Sequence, residues 1–322
     1  MSSLSTAPEP STGRGPIARI GHWLNAMPHP ACAVEIGAHR VAAARWGKGP
    51  GQLESFAVEP LPPGVLMPSP VDTNVAQPEA LASVLRRVFA RVPHHGAPVA
   101  LLVPDPVVRV FILPFESLPR RAEDALPLLR WRLKKSVPFD VEETVVSWMR
   151  QQGRDGKLEV MAAIARQRIV REYEQAVESL GASSGVVLGA TLASLALVED
   201  RGSTLLIRMS GKMLTTAIVR GSNLCVYRSS EVSSGLAAHA MLDEIFPAIA
   251  YYQDTWGESV DRARVAGSGV RDEAFRIALA DELRVPVEAL GGSTVGSRFG
   301  SGARDLVEQD LDALVGWTMN DA

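Results

Sequence analysis

Apolar residues fall at Leu81, Val84, Leu85, Val88, Phe89 and Val92. That three-and-four spacing predicts an amphipathic helix, and Pro78 suits its first turn. Ahead of it, residues 31–58 predict three strands, with a turn at Gly49-Pro50-Gly51 before the third. Residues 60–70 form an extended, proline-rich connection. The centre of this block is the stretch 34–46: a strand, a tight turn over Gly37, and a returning strand. A similar unit recurs at 205–212, with Gly211 at its turn, and continues into 214–219. One such unit in each half suggests a duplicated α/β architecture with a cleft between the halves. A backbone that turns over a glycine exposes N–H groups able to hold a phosphate, and the same pattern also describes an ordinary β-hairpin.

The middle of the chain reads as a separate small module. Strands are predicted at 99–103 and 107–113, with Pro104-Asp105-Pro106 turning between them. Ala122, Leu126, Leu129 and Leu133 predict a helix ending near Ser136. Residues 145–149 and 158–164 predict a hairpin across 153–156. Ile169, Tyr173, Ala176, Val177 and Leu180 predict a second helix, closed by Gly181. The order is ββαββα. After a strand at 186–188 and a helix at 191–199, residues 200–202 make a linker. Strands follow at 204–209, 213–219 and 224–228, then a long helix over about 235–256 that Pro247 should kink. A strand at 264–266 leads into Gly267-Ser268-Gly269. A helix around Phe275 to Leu283, a strand at 285–287, a Gly/Ser loop at 291–302 and one closing helix from Leu306 to Trp317 complete the chain.

Composition narrows the function classes. A chain of 322 residues is long enough for two domains or one divided domain. Apolar content of 46% and charged content of 21% are those of a globular protein, and a net charge of −3 provides no global field for nucleic acid. Arg130, Arg132, Lys134 and Lys135 form a local basic cluster, read as a solvated helix face. The two cysteines, Cys32 and Cys225, read as buried thiols, and no metal-ligand spacing involves them. No apolar run reaches the length of a membrane span. The start lacks the pattern of a signal peptide, which places the protein in the cytoplasm. Residues 1–16 read as a disordered tail, and Ile17, Ile20, Trp23 and Leu24 give a short helix one apolar face.

Several stretches together resemble the actin-like ATPase superfamily, and within it the PilM family of type IV pilus assembly proteins. Leu133-Lys134-Lys135-Ser136-Val137-Pro138-Phe139-Asp140 is similar to the family's helix end and "iPF" turn. Val110-Phe111-Ile112-Leu113-Pro114 is similar to its "r-l-P" strand, and Glu244-Ile245 with Tyr251-Tyr252 to its "EI…YY" helix. Ala266-Gly267-Ser268-Gly269 resembles its "sGGG" adenosine loop, and residues 283–288 the segment after it. The resemblance implies a duplicated actin-like (ribonuclease H-like) fold. The first half would be 31–95, completed by 183–200 and 303–322. Residues 96–182 would be the inserted subdomain shared with FtsA, and 201–302 the second half. Only residues 228–244 stand where longer members place a roof subdomain, so the roof is expected to be reduced. The cytoplasmic domain of GspL is a cousin that normally continues into a membrane span, which favours PilM here.

The resemblance also implies partners and a cofactor. Family members bind an N-terminal peptide of PilN beside the inserted subdomain, and Val110, Pro138 and Phe139 are the candidates for that groove. An assembly ATPase is a further implied partner, with nucleic acid excluded and the membrane met only through partners. The expected location is the inner face of the inner membrane. ATP with Mg²⁺ is the implied cofactor. Its cleft would be lined by Glu35, Gly37, Ala38, Arg40, Ser210, Gly211, Lys212, Gly267 and Gly269. The departures fall on the chemistry. Glu35 replaces the Asp of the first phosphate loop, and Arg208 replaces that of the second. Arginine can neither accept a hydrogen bond nor act as a base. These substitutions favour a scaffold with a degenerate nucleotide site over a slow ATPase. The shape of the cleft around Gly37, Gly211 and Gly267 is the observation that decides between them, and an open groove with Arg208 projecting into it would settle most of the question.

Overall fold

The computed structural model describes residues 29–47, 52–199, 201–233, 238–268, 272–291 and 300–318. The predicted tail and its short helix, the turn at 49–51, Gly269 and most of the 291–302 loop lie outside these residues.

The first half contains β1 (Cys32–Ile36), β2 (Arg40–Trp46), β3 (Leu53–Pro60), α1 (Pro78–Arg91) and β4 (Pro98–Val103). Next come β5 (Arg109–Phe115), α2 (Ala122–Leu133), β6 (Thr144–Gln152) and β7 (Leu158–Arg166). The chain returns through α3 (Gln167–Glu178), β8 (Ser183–Gly189) and α4 (Ala190–Ser194). The second half has β9 (Ser203–Ser210), β10 (Met213–Arg220), β11 (Asn223–Glu231), α5 (Ala238–Trp256), β12 (Arg262–Gly267), α6 (Glu273–Leu283) and β13 (Val287–Ala289). The chain closes with α7 (Gly300–Glu308) and α8 (Asp312–Thr318), and α8 returns to pack on β1 and α4 of the first half.

Two sheets repeat one topology. Their strand orders are β3-β2-β1-β4-β8 and β11-β10-β9-β12-β13. In each, an antiparallel meander is extended by two parallel strands. This is the actin-like fold. The repeat holds to single-residue register. Glu35 pairs with Ala42 and Leu102, and Arg208 pairs with Thr215 and Ala266. Only residues 232–237 separate β11 from α5, too few to build a roof subdomain.

Strand alternation sorts the core into layers. Val34, Ile36, Leu101 and Val103 face α1 and α3, where they pack with Leu81, Leu85 and Tyr173. Leu205, Ile207 and Val265 face α5 and α6, where they pack with Ile245, Tyr252 and Phe275. The opposite faces of both sheets meet in one continuous core that includes Ala33, Leu102, Leu206, Ala266 and Trp317, together with Met149 and Met161 of the inserted unit. The two halves and the insertion are therefore joined by shared apolar packing. Gly316 lets α8 approach α4 closely, since a Cβ there would sit 2.2 Å from the carbonyl oxygen of Ala193.

Three expectations need correction. The strand at 99–103 belongs to the first-half sheet as β4 and not to the inserted module, because its residues Val99 to Val103 are buried on both faces. The helix α3 packs with α1 in the first-half core. The inserted sheet is thus three-stranded, in the order β5-β7-β6, with α2 on one face. The predicted closing helix is two helices, separated where Asp310 adopts a left-handed φ of 62°.

Candidate functional site: an arginine held across the cleft

Alternation along β1 turns Glu35 away from the α1 layer and toward the cleft. The same alternation along β9 turns Arg208 toward the cleft from the other half. The two matched positions meet there. Arg208 Nη2 donates to Glu35 Oε1 at 3.0 Å, and Arg208 Nε donates to Asp312 Oδ2 at 2.8 Å. Arg208 Nη1 lies 3.9 Å from Asp105 Oδ2. Arg208 is only 2% exposed, and Glu35, Asp105 and Asp312 are buried with it. One guanidinium from the second half is thus enclosed by three carboxylates from the first.

The carboxylates are themselves held. Asp105 sits just beyond β4, and its side chain accepts from Thr191 N at 2.9 Å, from Thr191 Oγ1 at 2.5 Å and from Thr215 Oγ1 at 2.9 Å. Ser194 Oγ donates to Asp312 Oδ2 at 2.5 Å. These bonds draw α4, α8, β4, β9 and β10 onto a single point. Glu35 Oε2 and Asp312 Oδ1 are buried with no hydrogen-bond partner among the described residues. Burial raises the Glu35 carboxyl above the ordinary range, against the pull of Arg208 and Arg40, and Asp312 adds to the rise. Arg208 stays protonated: burial opposes its charge, but Asp312, Glu35 and Asp105 together raise its affinity for the proton.

The glycine turns sit at the mouth of the cleft. Gly37 N donates to Arg40 O at 2.9 Å, closing the first turn. Gly211 closes the second at a φ of +60°, with the His39 imidazole directly beside it. Gly267 ends β12 at a φ of +66°, where a Cβ would lie 2.0 Å from Met209 O. Arg40 is not free to meet a phosphate. Its guanidinium donates to Gln309 O at 2.9 Å and also to Asp310 O. Ala38 is half-buried beside Gly37, and Ser210 and Lys212 are exposed at the second turn. The structure therefore gathers Glu35, Gly37, Ala38, Arg40, Ser210, Gly211 and Lys212 at the paired turns, with Gly267 beside them. Gly269 lies outside the described residues.

Mg·ATP, which the fold implies, is not matched by these residues. Magnesium bound through carboxylates needs oxygen ligands left open to it and to its waters. Glu35 is instead occupied by Arg208, whose side chain fills the position between the halves. Among the described residues no group of three or more His, Cys, Asp or Glu could hold a metal ion. The deciding observation takes a different form from an open groove: Arg208 projects into the cleft, and Glu35, Asp105 and Asp312 close around it.

The expected partner groove is likewise not assembled from Val110, Pro138 and Phe139. Val110 is buried and faces the shared core, whereas Phe139 packs half-buried on the opposite side of the small sheet, under α2. Pro138 is exposed. Alternation along β5 turns Val110 toward the body, since even positions face the body and odd positions face α2, while Pro138 and Phe139 follow α2 on the other side of the sheet. The acidic run at 140–143 is structural: Asp140 accepts from Glu142 N at 3.0 Å, Glu142 pairs with Arg130 at 2.9 Å, and Glu143 with Arg166 at 3.0 Å. Sequence reasoning missed Asp105, Thr191, Ser194 and Asp312. A carboxylate between two prolines after a wholly apolar strand, and another in the apolar stretch 311–317, were the available signals.

The chain has an actin-like fold, and among the described residues the cation at the centre of its cleft is its own arginine. No family model and no curated protein matches the chain. Among solved structures, it is similar to a chain of one described as a PilM-PilN type IV pilus biogenesis complex. That match has a TM-score of 0.70 at 20% identity and covers 91% of this chain and 98% of the other. It is also similar, at a TM-score of 0.47 and 15% identity, to the cytoplasmic domain of EpsL, an inner-membrane component of the type II secretion system of Vibrio cholerae, covering 73% of this chain and 80% of that one. The first likeness establishes the shared fold.

Proposed function

We propose that the protein is a PilM-like scaffold of a type IV pilus or related secretion platform, working at the cytoplasmic face of the inner membrane. It binds a partner's cytoplasmic peptide and takes no nucleotide. The observation that carries this reading is the buried Arg208, bonded to Glu35 and Asp312 where a phosphate-bound cation would otherwise join the halves. The likeness in fold to a chain of the PilM-PilN complex supports the choice of partner class, an N-terminal peptide of a PilN-like protein. Titration calorimetry tests both parts. The expected result is no heat with Mg·ATP and saturable binding of the PilN-like peptide. Micromolar Mg·ATP binding with phosphate release that disappears in Glu35→Ala would replace the scaffold with a slow ATPase. Absence of peptide binding would remove the partner assignment while leaving the empty-cleft reading intact.

A further inference from the structure

The outer face of α2 carries an aromatic and basic surface that the scaffold reading does not use. Ala125, Leu129 and Leu133 bury the inner face of the helix against the small sheet. One turn apart on the other side, Leu128 and Trp131 point into solvent at 43% and 73% exposure. Trp131 is the most exposed of the large apolar side chains among the described residues. Arg132, Lys134 and Lys135 surround its C-terminal side, are all exposed, and form no ion pair among the described residues. Arg130, by contrast, is paired with Glu142. The acidic residues of this helix, Glu123 and Asp124, are confined to its first turn. They lie about 10 Å back along the axis from Trp131 at 1.5 Å per residue.

We infer that this face rests on an anionic lipid bilayer. Tryptophan beside a leucine, flanked on its C-terminal side by three cations that form no ion pair among the described residues, matches the layered polarity of a membrane interface. The ring and the isobutyl group enter the headgroup–acyl boundary, while the ammonium and guanidinium groups stay among the phosphates. A protein partner would ordinarily receive such a tryptophan in a groove of its own or offer an anchor to a groove here. Two cavities, of about 430 and 400 Å³, lie away from this helix face, between α5 and α6 and at the β6–β7 turn. With two apolar anchors and three cations the attachment is weak and reversible. The inference stands independently of the proposed scaffold role.

Vesicle co-sedimentation of the full chain tests it, with phosphatidylcholine vesicles compared against the same vesicles containing phosphatidylglycerol. The chain is expected to sediment only with the anionic vesicles and to be released by added salt. Lys134→Ala and Lys135→Ala should each weaken binding roughly fivefold, from ~1 kcal/mol per cation at an anionic surface. Trp131→Ser should weaken it on the order of tenfold by removing the apolar anchor. All three side chains are exposed, so the melting temperatures of these variants should equal that of the wild type. Equal binding to both vesicle types, no binding to either, or an unchanged Trp131→Ser variant would each overturn the inference. If vesicles are ignored and Trp131→Ser instead loses binding to polyglutamate, the surface serves an acidic polypeptide and the lipid assignment is wrong.

Discussion

Replacing Arg208 by methionine removes the only cation among the described residues within hydrogen-bonding distance of Glu35 and Asp312, while keeping most of the side-chain volume. Three buried carboxylates, Glu35, Asp105 and Asp312, then face one another with no opposing guanidinium. Breaking a buried ion cluster from one side destabilises by about 3–5 kcal/mol, because the remaining charge is both desolvated and unpaired. For 322 residues, an unfolding entropy of about 2.1 cal/mol/K per residue converts that loss into a fall in melting temperature of about 4–7 °C. The pH dependence identifies the cause. Burial already raises the Glu35 carboxyl against the pull of Arg208, so without Arg208 Glu35 binds its proton still more tightly in the native state than in the unfolded one. The deficit of the variant should therefore be largest near about pH 8 and shrink toward about pH 5. Thermal melts followed by circular dichroism across that range measure it. Adding Glu35→Gln and Asp312→Asn to Arg208→Met should recover most of the loss, since a neutral cluster replaces an unbalanced one. A melting temperature within a degree or so of wild type, or a deficit independent of pH, would refute the account of Arg208 as the cation joining the halves.

Glu35→Gln alone tests the raised carboxyl. The stability that the native Glu35 proton supplies is complete below the unfolded carboxylate value near ~4.3 and is lost as pH rises through the higher native value. The variant cannot ionise, so its stability relative to wild type should increase with pH in urea titrations, and a flat difference would count against it. Gly267→Ala combines a left-handed φ with a contact to Met209 O and should destabilise by roughly 2 kcal/mol or more in the same titrations. Cys32 is pushed up to about 11 and Cys225 to about 12, chiefly by burial. Neither thiol should react with a disulfide reagent in the native protein, and both should react in denaturant. Gln151 exchanges two hydrogen bonds with the backbone of Leu224, at 2.7 and 3.2 Å, and Gln151→Ala should cost about 1–3 kcal/mol. Hydrogen exchange should then rise at the contact between the inserted unit and the second half.

Much of the fold was legible because it rests on periodicity. The spacing from Leu81 to Val92 and the alternation on either side of Gly37 and Gly211 carry their own geometry, and the repeated strand–turn–strand unit announces the duplication. The failures have physical causes. Residues 99–103 are apolar on both faces, so their pattern cannot say which sheet they join, and the short Pro104-Asp105-Pro106 link made a local hairpin look natural. Asp310 breaks the last helix through a backbone conformation that its side-chain type permits but does not demand. At the site, the loss of the acid at position 208 was visible. The fate of the arginine was not, because Asp105 and Asp312 lie about a hundred residues away on either side of it and are brought together only by the sheets.

The matched register of residues 35 and 208 has a thermodynamic consequence. In a duplicated fold they are two copies of one position. Acids in both copies repel each other, and such a cleft closes only by recruiting a counter-cation from solution. Its closure then gains a term of the form RT ln(1 + [L]/Kd) and follows the concentration of whatever is recruited. An acid in one copy and a base in the other remove that term. The stability of the closed arrangement then carries no term in the concentration of a recruited cation.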